Sequence, residues 1–152
     1  DAARLRVAPR PGGAPVRHAI GESFVADVYA CHDGTPVPDA LVVNARAVDT
    51  ALRALRRSLE ARHQRPLEVY VVSGYRTPEY NRQVHGEEHS YHLHAMAADI
   101  QVDGLEPEQV AKVVDVLQRS RAMRAGGLGR YDTFTHVDVR GQIARWDLRK
   151  RP

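Results

Sequence analysis

The chain has 152 residues, 43% hydrophobic and 27% charged, with a net charge of +3 and a pI of about 9.3. This length suits one domain with its own core, and no apolar run reaches the roughly 20 residues a membrane span needs. A single cysteine, Cys31, excludes an internal disulfide without choosing a redox compartment. Mild basicity suits work near anionic polymers such as cell wall or nucleic acid and does not choose between them.

Position 1 is Asp and no charged-then-apolar leader follows, so the chain is expected to be a trimmed or processed form. Residues 1–17 (DAARLRVAPRPGGAPVR) are rich in Pro, Gly, Ala and Arg and read as a flexible arm. Residues 18–152 then form a single domain. The partial alternation of residues 20–29 suggests a short strand or turn structure, and residues 31–38 (CHDGTPVP) are turn-rich.

A helix follows, with Asn44 as its N-cap and Val48, Ala51, Leu52, Leu55 and Leu59 along one face. Arg46, Arg53, Arg56, Arg57 and Arg62 lie mostly off that stripe. Residues 67–72 (LEVYVV) read as a strand. Thr77 and Pro78 open a short helix that Gly86 ends. Residues 97–102 form a second strand closed by an Asp103-Gly104 turn.

Pro107 starts a helix carrying Val110, Val113, Val114 and Leu117 inward, and Gly126, Gly127 and Gly129 break the chain after it. Residues 134–139 make a third strand and residues 143–146 a fourth, returning by a hairpin through Gly141. Helices and strands mix without a βαβ rhythm, which predicts an α+β fold with a mainly antiparallel sheet flanked by helices.

Two stretches carry residues suited to metal chemistry. His92 and Asp99 lie seven apart, separated by the small residues Ala95, Ala97 and Ala98, and His136 sits in an alternating strand on the same face as Phe134 and Asp138. If the two strands are neighbours, His92, Asp99 and His136 meet as a two-histidine, one-carboxylate set with a position open to water, as in catalytic zinc sites. A His and an Asp at this spacing usually make ordinary hydrogen bonds or surface contacts, and His85, His89 and His94 are rival ligands.

The segments SGYRTPEYN (73–81), SYHLHAMAADI (90–100) and GGLGRYDTFTHVDVRGQIARW (126–146) together resemble the zinc D-Ala-D-Ala carboxypeptidase and murein endopeptidase family, in particular its small bacterial peptidoglycan-cleaving branch. The resemblance spans residues 41–146, with the three motifs in the family's order. It implies a hedgehog/DD-peptidase-like fold, one zinc ion per chain held by His92, Asp99 and His136, and a substrate-side arginine at Arg76. Ser90 matches the serine of the family's S-x-H motif, and Ser90 and Tyr91 are expected to bind substrate beside the groove.

Two departures from the family pattern are visible. A glycine common three residues after the first ligand is Ala95 here, which matters only if that residue needs a positive φ. An acid that several relatives carry three residues before the last histidine is Thr133 here. The general base then falls to Asp138, with Asp132, Glu87 and Glu88 as alternatives, while Asp138 could instead orient a ligand or Arg140. Trp146 is expected to cap the core behind the metal-bearing strand.

The leading function is a zinc peptidase of peptidoglycan stem peptides or cross-bridges, periplasmic, extracellular or wall-associated, and monomeric. Few insertions suggest an open groove, favouring an endopeptidase or a permissive carboxypeptidase. The alternative is a non-catalytic metal-binding module of the same fold that recognises a wall peptide or a protein partner. The arginines of residues 46–62 raise nucleic-acid binding, but such charge runs are usually solvated helix faces and no aromatic-interleaved patch accompanies this one, so no nucleic acid is expected.

Overall fold

A computed structural model describes residues 16–150. Residues 1–15, most of the predicted arm, lie outside the described residues. Arg17, assigned to that arm from sequence, is held to the domain: its guanidinium pairs with Asp103 at 2.8 Å and lies 3.9 Å over the Tyr70 ring.

The elements are β1 (His18–Ala19), α1 (Val25–Val28), α2 (Val42–His63), β2 (Val69–Ser73), α3 (Pro78–Gln83), β3 (Ala97–Val102), α4 (Pro107–Ser120), β4 (Gly127–Arg130), β5 (Thr135–Asp138) and β6 (Ala144–Asp147). Short 3-10 turns at Asp39–Leu41 and Tyr91–His94 precede α2 and β3. The strands form one six-stranded sheet in the order β1-β2-β3-β5-β4-β6. Every pairing is antiparallel except β4 with β6, so the fold is α+β with a mixed sheet.

The apolar periods dictate what is covered. Val48, Ala51, Leu52, Leu55 and Leu59 of α2 are buried, as are Val110, Val113, Val114 and Leu117 of α4. They share a core with Ala98, Ile100 and Val102 of β3, Leu128 of β4 and Val137 of β5. Strand alternation therefore turns Ala97, Asp99, His136 and Asp138 to the opposite face. No helix among the described residues is long and apolar enough to cross a membrane.

Four local expectations give way. Of the two readings of residues 20–29, the strand gives way: residues 20–23 form a turn and residues 25–28 a one-turn helix, with Ala26, Val28 and Tyr29 buried. The chain enters α2 through the 3-10 turn that follows Pro38, so Asn44 lies inside the helix and its amide donates to the His94 carbonyl at 2.9 Å. His85, at φ 57, turns the chain out of α3 ahead of Gly86.

The fourth concerns the C-terminal return. The chain does reverse at Gly141, with φ 97, but β6 pairs with β4 and not with β5. Both edges of β5 are already occupied, by β3 and β4. A strand antiparallel to β5 must run parallel to β4, and the outer edge of β4 is the one available.

Candidate metal centre

One transverse row of the sheet builds the site. Ser73 pairs with Asp99, Asp99 with His136, His136 with Gly129, and Gly129 with Trp146. Directly opposed residues of an antiparallel pair present their side chains on one face, so the Asp99–His136 pairing alone brings a carboxylate and an imidazole together. The third group arrives from the 3-10 turn. Ser90 caps that turn by accepting the His92 backbone N–H at 3.2 Å, and the Arg76 N–H donates to the His92 carbonyl at 3.0 Å.

His92, Asp99 and His136 are all buried and offer ligand atoms within 4.8 Å of one another. His85, His89 and His94 are exposed and stand outside this group. His92 Nδ1 donates to the Gly74 carbonyl at 2.6 Å, which aims Nε2 at Asp99 Oδ1, 3.3 Å away. His136 Nε2 donates to Asp138 Oδ2 at 2.9 Å, which aims Nδ1 at the same Asp99 oxygen, 3.0 Å away.

Each imidazole thus has its outer nitrogen committed to an acceptor and its inner nitrogen directed at a shared carboxylate. Neutral rings in these tautomers would point lone pairs at a negative oxygen, so the cluster is built to hold positive charge between its members, as protons or as a divalent cation. Two imidazole nitrogens and one carboxylate oxygen are a donor set that zinc accepts, and outer partners that fix histidine tautomers accompany metal ligation. The residues therefore fit the ion.

Electrostatics agree. Burial opposes charge on Asp99, yet the two imidazoles, His92 foremost, hold its carboxyl well below the ordinary carboxylate range. Burial likewise opposes charge on His136, but its hydrogen bonds to Asp138 and Asp99 raise it to about 8.

Arg76 is brought to the rim of this cluster. Its Nη2 lies 3.6 Å from Asp99 Oδ2 and its Nη1 donates to Asn81 Oδ1 at 3.3 Å, while its Nε is buried without a partner among the described residues. Asn81 also donates to the Glu87 carbonyl at 2.9 Å, so this amide ties the 84–90 loop to Arg76. Gly86 makes the closure possible, since a Cβ there would fall 2.0 Å from Asn81 Oδ1.

Asp138 is fully buried and its oxygens are filled. Oδ1 accepts from the Gly127 and Arg140 backbone N–H groups and from Arg140 Nε, and Oδ2 accepts from His136 and Arg140 Nη2. Burial opposes its charge, but the His136 and Arg140 hydrogen bonds pull its pKa far below the usual value. A carboxylate so saturated is geometrically suited to orienting His136 rather than to accepting a proton. Among the other acids, Asp132 is exposed and accepts the Lys150 backbone N–H, and Glu87 and Glu88 are exposed on the 84–90 loop.

The glycines at 127 and 129, expected to break the chain, lie within β4 and clear its site face. A Cβ at 127 would sit 2.3 Å from Asp138 Oδ2, and one at 129 would sit 2.4 Å from Trp146 Nε1. Trp146 accordingly lies across β4 with its ring 4.9 Å from that of His136. It walls the site face rather than capping the core behind it. Arg140, which sequence reasoning noted only as a possible partner of Asp138, stands between Tyr91 and Trp146, and the one pointer to it was the alternation His136, Asp138, Arg140.

Ala95 carries the φ on which its departure from the family pattern depends. It is left-handed, at φ 55, and 3% exposed. A left-handed L-residue costs roughly 1–2 kcal/mol, partly offset here by a buried methyl group and by glycine's larger unfolded-state entropy. Ala95→Gly is expected to stabilise the fold by a net ~0.5–1 kcal/mol, read as a melting temperature higher by about 1–4 °C. A lower melting temperature would refute the strain.

No curated protein matches the chain. The sequence model of the family Peptidase M15 matches residues 31–138, a span that holds Arg76, His92, Asp99, His136 and Asp138 and covers well over half of the chain. With a zinc-compatible cluster inside that span, the chain belongs to Peptidase M15, the zinc D-Ala-D-Ala carboxypeptidase family of metallopeptidases.

Proposed function

We propose that the protein is a zinc-dependent peptidase of hedgehog/DD-peptidase fold that hydrolyses peptide bonds in peptidoglycan stem peptides or cross-bridges, working in the periplasm or at the wall. The observation that carries this reading is the convergence of His92 Nε2 and His136 Nδ1 on Asp99 Oδ1, with both outer nitrogens already committed. The family's zinc D-Ala-D-Ala carboxypeptidases favour the wall as its setting, and the chain's positive charge is compatible with that anionic polymer.

Held by His92, Asp99 and His136, zinc would supply a Lewis acid for the scissile carbonyl and bring water toward ionisation near neutral pH. The Gly74 carbonyl and Asp138 keep both rings in the ligating tautomer. Arg76 stands where its guanidinium can neutralise charge developing on the carbonyl oxygen or grip a substrate carboxylate. Ser90 acts through His92 as a cap, and Tyr91 lines the groove. Asp138 is assigned to orientation, which leaves proton transfer to the solvent-facing carboxylates of the rim loop, Glu87 and Glu88.

The test is digestion of purified peptidoglycan by the zinc-loaded protein, with and without chelator, followed by mass analysis of the fragments. New chelator-sensitive fragments are expected, their masses identify the bond, and their release should be strongly slowed in a Glu87→Gln/Glu88→Gln variant. No fragments would favour the non-catalytic binding module, a reading that the substitution of Thr133 for an acid supports. A double variant that digests at the parental rate would remove the rim carboxylates from the reaction.

A further inference from the structure

We propose that Arg140 is a positioning residue of the metal centre, acting through Asp138 to set the ring of His136. The inference rests on the metal-site reading above and assigns a role to a side chain outside the ligand set. Arg140 grips Asp138 with both arms of its fork, Nε to Oδ1 at 2.9 Å and Nη2 to Oδ2 at 2.7 Å. A paired contact of this kind fixes the carboxylate plane, which a single-point cation does not do. With Oδ1 also accepting two backbone N–H groups, Asp138 Oδ2 has one direction left for His136 Nε2.

The guanidinium is itself held in place. It lies 4.3 Å over the Tyr91 ring and 5.4 Å from the Trp146 ring, within cation–π range of both. Tyr91 immediately precedes His92, and the Trp146 ring packs 4.9 Å from His136. Arg140 therefore links the turn that carries one ligand to the strand that carries another. Without its donors, Asp138 loses the contact that fixes its plane, and the His136 ring gains freedom to tilt.

The experiment measures the zinc dissociation constant of the full chain by competition with a chromogenic chelator, alongside the melting temperature. Arg140→Met keeps the aliphatic stem between the two rings and removes the donors. It is expected to bind zinc about 10–100-fold more weakly, the usual cost of losing an outer partner, and to melt at a lower temperature because the buried Asp138 carboxylate loses its ion pair, so affinity is read on the folded chain. Arg140→Lys restores the charge without the fork and is expected to fall between the two.

An Arg140→Met affinity within twofold of the parent overturns the assignment, and so does an Arg140→Lys variant that binds no better than Arg140→Met. Should Arg140→Met not fold, Arg140→Lys decides alone: weakened binding in a folded chain supports the role, and parental affinity overturns it. Because the readout is zinc affinity, a parent that binds no zinc sinks the metal site itself. A parent that binds zinc and cuts nothing sinks only the peptidase reading.

Discussion

Zinc and hydrolysis are expected to disappear together when His92 or His136 is replaced by alanine. Each ring contributes one of three donors, and both are buried beside a carboxylate that has no other imidazole to turn to among the described residues. Removing one leaves an imidazole and a carboxylate facing a cavity, too few protein ligands for a catalytic zinc site. The loss of affinity should exceed the 10–100-fold cost of disturbing an outer partner. Metal content after dialysis is expected to fall from about one zinc per chain, the usual load of a mononuclear site, to near zero. Unchanged metal in both variants would sink the site. Circular dichroism on the same samples separates loss of the ion from loss of the fold.

Arg76→Ala is expected to slow hydrolysis by about 10²–10³-fold, the usual loss for a donor aimed at a developing oxyanion, while zinc stays bound. The guanidinium lies 3.6 Å from the Asp99 oxygen that faces away from the histidines, and Asn81 holds it on the opposite side. It is close enough to the cluster to act on a substrate carbonyl and supplies no donor to the ion. Arg76→Lys should recover little, because a point charge cannot hold Asn81 and Asp99 as the fork does. Peptide kinetics distinguish the possible roles. A fall in kcat marks the transition state, a rise in KM alone marks ground-state binding of a substrate carboxylate, and no change in either removes Arg76 from the site.

Much of the fold was legible in local pattern. The apolar stripes of α2 and α4 show which face each helix buries, the Asp103-Gly104 turn closes β3 at Val102, and Thr77-Pro78 opens α3 with the Thr77 hydroxyl accepting the Tyr80 N–H. These features depend on neighbours within one or two turns, so the chain carries them without reference to the rest. The glycines at 127 and 129 misled for the converse reason. Read locally they interrupt structure, whereas their use is to leave room for side chains arriving from β5 and β6.

Metal-compatible residues were legible as types in the right order, but spacing could not separate His92 from His94 or His89. Capping by Ser90 and the Gly74 carbonyl make that choice, together with a register that opposes Asp99 to His136. Nor could the sequence decide between base and orienting partner for Asp138. Orientation rests on Arg140 and the Gly127 N–H filling its oxygens, one from the bend just past its own strand and one from a neighbouring strand. The sequence by itself determined the helices α2 and α4, the strands β2, β3 and β5, the faces they bury and the set of residues capable of holding a metal, because each of these is written in periods of two or in turns of a helix. Only the tertiary structure decided which histidines face one carboxylate and what holds their rings, because those facts depend on strand order and register across residues dozens of positions apart.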